Sequence, residues 1–112
     1  MNCNCNETYK ELRVKLRNFE NDFQVAFGKG PASVIKLKLK CLDITHKMNI
    51  KSCNCFIGQN LYVIKSTIEN FFKNKAKFQK DNAENVYIRE VEKTFDKIVK
   101  ILYNIADASP KN

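Results

Sequence analysis

The sequence has no tryptophan, and only three glycines and two prolines occur among its 112 residues. So few turn-forming residues disfavour a protein built from many short strands, and they also disfavour a low-complexity segment. No apolar run reaches the roughly 18 residues of a membrane-spanning helix, so we expect no membrane insertion. At this length we predict one domain over residues 1–112 with a single modest core.

Histidine is also scarce, since His46 stands alone. Nucleophilic catalysis needs a base paired with a nucleophile, and no Ser-His-Asp or Cys-His pair is recognisable in this sequence. A glycine-rich phosphate-binding loop is missing as well. The sequence therefore predicts that the protein is not an enzyme, that it uses no cofactor, and that His46 is a surface residue.

Apolar residues recur every three or four positions along most of the chain, which is the spacing of one buried face of an α-helix. The clearest case is 85–105, whose apolar stripe is Ile88, Val91, Phe95, Ile98, Leu102 and Ile105. Similar stripes predict a first helix over 7–27 and a third from 57 or 59 to 78. With a second helix between them, they predict an all-α four-helix bundle, most simply with up-down-up-down connectivity.

The segment 32–48 fits two patterns. Ile35, Leu37 and Leu39 alternate with lysines, as in a strand. A helical stripe also fits, and it consists of Val34, Leu37, Cys41, Ile44 and Met48. We favour the helix, in which Cys41 faces the core.

Local signals mark the ends of the predicted helices. Thr8 and Glu11 have the spacing of a capping box at the start of the first helix. The sequence from Gly28 to Pro31 ends that helix, because glycine suits the end of a helix and proline suits the first position of the next one.

Five cysteines are many for this length, and four of them form two C-x-C pairs, Cys3/Cys5 and Cys53/Cys55. In an up-down-up-down bundle both pairs lie at the same end, where we expect two disulfides whose pairing the sequence leaves open. Zinc is the alternative, but structural zinc sites usually space their cysteines as C-x(2–4)-C, so we expect no metal. An N-glycosylation sequence begins at Asn6, and with the disulfides it favours a secreted, extracellular protein.

The net charge of +8 favours an acidic partner, such as a sulfated glycan, a nucleic acid or an acidic receptor surface. The lysines are spread over all the predicted helices, and no zinc-finger, RNA-recognition or helix-turn-helix pattern is present. We therefore expect protein or glycan partners rather than nucleic acid.

The last predicted helix reads I-R-E-V-E-K-T-F-D-K-I-V-K-I-L-Y-N from Ile88 onward. This pattern resembles the final helix of the short-chain four-helix cytokines, the group that includes interleukin-15. The sequence S-T-I-E-N at 66–70 is similar to T-V-E-N in the third helix of that family, and Cys41 resembles the cysteine of its second helix. The resemblance implies a secreted cytokine or growth factor that binds cell-surface receptor chains through exposed helix faces.

The resemblance also implies which residues would bind the receptor. Glu69 and Asn70 would meet one receptor chain, while Lys97, Lys100 and Asn104 would meet a second. Lys100 stands where the family has a glutamine that contacts the shared receptor subunit.

Surface placement adds Arg13, Arg17 and Glu20 on the first helix and Tyr103 on the last, since arginine and aromatic residues often anchor interfaces. The competing hypothesis is an intracellular or viral helical-bundle adaptor that binds a protein partner or an acidic surface. A basic nucleic-acid binder is the third.

Overall fold

A computed structural model describes residues 4–50, 53–80 and 84–108. These residues form helices and contain no strand, so the prediction of an all-α helical bundle is confirmed. The helices are α1 (Cys5–Arg17), α2 (Glu20–Lys29), α3 (Pro31–Lys47), α4 (Phe56–Lys80) and α5 (Glu84–Ala108). None of them is both long enough and apolar enough to cross a membrane.

The first predicted helix is interrupted, so its prediction as one continuous element over 7–27 is wrong. The amide of Phe19 donates to the carbonyl of Leu16, three residues back, over 3.1 Å, and this tighter turn separates α1 from α2. The sequence around the break is rich in asparagine and aspartate, which are weak helix formers. Phe27, near the end of α2, is exposed although it continues the apolar spacing of this segment.

The predicted capping box at Thr8 is also wrong. Helix α1 begins at Cys5, and the Thr8 hydroxyl donates to the carbonyl of Asn4 over 3.3 Å instead of accepting from an early amide. The predicted stop at the end of α2 is confirmed. Gly30 has a φ of +118°, which glycine adopts without strain, and Pro31 is the first residue of α3.

Helices α4 and α5 form an antiparallel hairpin. Each is 25 residues long, and only residues 81–83 lie between them, so α5 must fold back along α4. The Phe71 and Tyr87 rings lie against each other across the hairpin, with centroids 6.3 Å apart. Along the hairpin the predicted stripe of α5 faces inward, since Val91, Ile98 and Ile105 are buried. Each buried side chain of this size contributes about 1.5–3 kcal/mol.

Helix α1 packs against this hairpin with its N-terminal end next to the start of α4 and the end of α5. The Sγ atom of Cys5 lies 2.9 Å from that of Cys53, and the Tyr9 hydroxyl donates to the Leu102 carbonyl over 3.5 Å. Helix α1 therefore runs parallel to α4 and antiparallel to α5. This differs from the up-up-down-down connectivity with two long crossovers that cytokine bundles use.

Helix α3 resolves the two patterns of its segment in favour of the helix. Cys41 and Leu42 are buried in the core, as the helical stripe predicts for Cys41. The Thr45 hydroxyl is buried too, and it donates to the Cys41 carbonyl one turn earlier over 2.9 Å. The last turn of α3 reaches α4, where exposed His46 stacks on Phe72 with ring centroids 4.3 Å apart.

Candidate functional site

A groove between the first two helices and α5, here called the α1–α5 groove, encloses about 250 Å³. Its rim carries Arg13, Arg17, Glu20 and Tyr103, all four of which surface placement had singled out. Its floor is apolar and consists of Leu16, Phe23, Cys41, Phe95, Val99 and Leu102. Tyr103 is 66% exposed, which is unusual for so large an aromatic side chain.

Buried contacts hold the rim of this groove in place. Tyr9 is almost completely buried and bonds to α5, and the guanidinium of Arg13 lies 5.4 Å from the centre of the Tyr9 ring. The break between α1 and α2 falls between Arg17 and Glu20, so these two residues belong to different helices yet line one groove. The arrangement presents two cations, one carboxylate and one phenol around an apolar floor.

The remaining predicted receptor-binding residues do not join this groove. Asn70 and Lys97 line a second one, the α4–α5 groove of about 590 Å³, on the hairpin. Glu69 lines a small cavity of about 70 Å³ beside the end of α3. Glu69 and Asn70 therefore line different cavities, although they are adjacent in sequence. Lys100 and Asn104 are exposed on α5. The predicted set is therefore spread over several faces.

Sequence reasoning missed a third and more apolar groove between α3 and α5, of about 690 Å³. Phe27, Ile35, Leu39 and Ile88 contribute its apolar surface, and Lys36 and Lys38 add positive charge. The signal for this groove in the sequence is the alternation of lysine with leucine and isoleucine in this segment.

Three of the four C-x-C cysteines come together in the described structure. The Sγ atom of Cys53 lies 2.9 Å from that of Cys5 and 3.3 Å from that of Cys55. Both separations exceed the roughly 2.05 Å of a disulfide bond, so neither of these two pairs is a disulfide. Cys53 itself is disulfide-bonded. Cys3 lies outside the described residues, and the pairing of the two C-x-C motifs stays a prediction.

The cysteine cluster is built by a tight approach of the chain to the first turn of α4. Residues Asn54 and Cys55 form a bend before α4 begins at Phe56. The amide of Gly58 then donates to the Cys55 sulfur over 3.2 Å. A Cβ atom at Gly58 would lie closer than 3.0 Å to backbone atoms of Cys53, so only glycine fits here without a shift.

The environment of Cys5 differs from that of Cys55. Cys5 is buried while Cys55 is exposed. Burial, together with the neighbouring Cys55, raises the pKa of the Cys5 thiol. Asn6, the predicted glycosylation residue, lies next to the cluster and is exposed on α1.

Comparison of the chain with protein-family profiles, with curated proteins and with solved structures gave no match.

We expect the folded protein to lose stability at high pH because Cys41 is buried. Burial raises the pKa of its thiol from the ordinary value of 9.0 to about 11, with Asp22 adding to the effect and Lys40 opposing it. Between these values the unfolded chain has released the proton while the folded chain retains it, so stability falls as the pH rises from 9 to 11. We expect the Cys41→Ala variant to lose this part of the pH dependence. Urea denaturation of both proteins near pH 8 and near pH 10 measures it, and equal slopes with pH would contradict the assignment to Cys41.

Proposed function

We propose that this chain is a secreted helical ligand that binds cell-surface receptor chains through exposed helix faces, with the α1–α5 groove as its principal contact. The observation that carries the proposal is the convergence of Arg13, Arg17, Glu20 and Tyr103 around one apolar floor. Interfaces draw most of their binding energy from a few such arginine and aromatic anchors set among apolar neighbours. On this proposal the protein acts by contact rather than by catalysis.

The chemistry of the groove indicates what its partner must supply. Tyr103 offers an aromatic ring with a hydroxyl, so it fits an apolar pocket that ends in a hydrogen-bond acceptor. Arg13 and Arg17 fit carboxylates, because a guanidinium binds a carboxylate through two parallel hydrogen bonds. The net charge of +8 extends this preference to an acidic receptor surface and would also attract sulfated glycans.

The cysteines and the last helix support export and receptor binding. Cys5 and Cys53 lie side by side, although 48 residues separate them, and Cys53 is disulfide-bonded, a state typical of oxidising compartments. Asn6 is exposed, as an N-linked glycan requires. The resemblance of α5 to the last helix of the short-chain cytokines adds the receptor as the class of partner.

We expect Tyr103→Ala and Arg13→Ala each to weaken binding to intact target cells by about tenfold, as for interface anchors. The matched control is Tyr62→Ala, because Tyr62 is 57% exposed but lines the α4–α5 groove instead. The measurement is saturable binding of labelled protein that excess unlabelled protein displaces, repeated after enzymatic removal of sulfated glycans. If Tyr62→Ala reduces the binding while Tyr103→Ala leaves it intact, the α4–α5 groove is the interface and the assignment is wrong.

A second candidate is an intracellular or viral adaptor that docks a partner helix, and two observations favour it. The α4–α5 hairpin has a short connection where cytokine bundles have a long crossover. The α3–α5 groove joins an apolar surface to Lys36 and Lys38, which suits an amphipathic helix with acidic flanks. The cell-binding experiment separates the two candidates, because an adaptor shows no saturable binding to intact cells.

A further inference from the structure

We propose that Cys5, Cys53 and Cys55 form a binding site for one thiophilic divalent cation of the zinc class when the protein is reduced. The three sulfur atoms come from two distant parts of the chain and all lie within 4.8 Å of one another. The proposal does not depend on the receptor-binding function, since the groove anchors and the cysteines are different residues. The ion and the disulfide of Cys53 exclude each other, because both need the sulfur atom of Cys53.

The geometry requires only a small opening of the cluster. Zinc–thiolate bonds of about 2.3 Å in a tetrahedral arrangement place sulfur atoms about 3.8 Å apart. The observed separations of 2.9 Å for Cys5–Cys53 and 3.3 Å for Cys53–Cys55 are shorter than this by less than about 1 Å. The bend at Asn54 and Cys55 explains how a C-x-C pair reaches one point, although zinc sites usually have a longer spacing. Exposed Cys55 leaves the ion a path of entry.

The cysteines on the side of α4 are held by the start of that helix. The amide of Gly58 donates to the Cys55 sulfur over 3.2 Å, which fixes the position of this sulfur. Cys53 and Cys55 lie within three residues of Phe56, the first residue of α4, and this 25-residue helix packs into the core.

The proton and electron balance is simple. A phosphine reductant cleaves the disulfide of Cys53 to two thiols and becomes a phosphine oxide, with its oxygen and the two thiol protons coming from water. The thiols of Cys5, Cys53 and Cys55 then each give a proton to solvent as their sulfur atoms bond to the ion. The oxidation state of the ion does not change. The fourth position of a tetrahedral ion remains for another donor, such as water.

The test is a titration of the full chain with Co²⁺ as the probe, under anaerobic conditions in phosphine reductant. Co²⁺ bound to thiolates gives intense charge-transfer absorption that Zn²⁺ then removes by displacement. The variants are Cys5→Ser and Cys55→Ser, and the matched control is Cys41→Ser, because Cys41 lies in the core away from the cluster. Helix content by circular dichroism shows that each variant is folded, and exposed Cys55 is the variant whose fold depends least on the cysteine.

We expect one Co²⁺ per wild-type chain and per Cys41→Ser chain. We expect binding weaker by about tenfold or more in Cys55→Ser and in Cys5→Ser, since even residues that only support metal ligands have effects of this size. Absence of thiolate absorption in the folded wild type, or unchanged absorption in folded Cys55→Ser, would overturn the proposal. Failure of this titration leaves the cell-binding result untouched, and the reverse is also true.

Discussion

The Leu12→Ala variant should lose about 3 kcal/mol of unfolding free energy, within the usual range of 2–5 kcal/mol for such core truncations. Leu12 is completely buried, and it belongs to the core cluster with residues of α3, α4 and α5. Removing three carbon atoms there loses their transfer from water and leaves a cavity that close-packed neighbours fill only in part. Leu12 is one of three buried side chains of α1, together with Cys5 and Tyr9, so its truncation weakens the attachment of α1 to the hairpin.

Val14→Ala is the matched control for Leu12→Ala. Val14 lies two residues away on the same helix and is 56% exposed, so its truncation should change stability by no more than about 0.5 kcal/mol. Guanidinium denaturation followed by circular dichroism measures both variants, with reductant present so that the state of the cysteines does not differ. Similar losses in the two variants would mean that α1 does not dock through the face that carries Leu12.

The Gly58→Ala variant should also be destabilised, by about 1–3 kcal/mol, which is the usual cost of adding atoms to a packed site. The new Cβ would lie closer than 3.0 Å to the nitrogen, carbonyl carbon and oxygen of Cys53. These are backbone atoms, so the connection before α4 must move as a unit, whereas a flexible side chain could simply turn away. That movement opposes the gain of about 1 kcal/mol that alanine normally gives over glycine inside a helix.

Gly28→Ala provides the comparison for Gly58→Ala, because Gly28 also lies in a helix but its added Cβ would meet nothing within 4 Å. Alanine should stabilise the protein there by about 0.4–1 kcal/mol. The two identical substitutions are therefore expected to have opposite signs in the same denaturation experiment. A stabilised Gly58→Ala protein would show that residues 53–55 do not lie against the first turn of α4 as described.

The parts of the fold that the sequence predicted well are those governed by local periodicity. The stripe of α5 faces the core because every third or fourth residue shares one side of a helix, whatever the helix packs against. Gly30 and Pro31 end one helix and start the next because of their own backbone preferences. The break at Asn18 and Phe19 was missed, since apolar spacing continues across it while the hydrogen-bond pattern changes.

For the candidate sites too, the sequence predicted what depends on a single helix and missed what depends on how helices pack together. Surface positions such as Arg13 and Tyr103 could be chosen from helix faces alone, but their meeting around one groove depends on how α1 and α5 pack. Glu69 and Asn70 are adjacent in sequence and point to different cavities, because successive residues of a helix lie about 100° apart. The α3–α5 groove was missed for a similar reason, since it is a gap between elements rather than a property of either one.

The long sequence separation between α1 and its partners has a consequence for synthesis on the ribosome. The hydroxyl of Tyr9 bonds to Leu102, 93 residues later, and Cys5 lies beside Cys53. Helix α1 is made before the other helices, yet the surfaces that bury Tyr9 and Leu12 exist only after α5 has been translated. The α4–α5 hairpin also closes only when α5 has emerged, so α1 waits longest of the five helices for its partners.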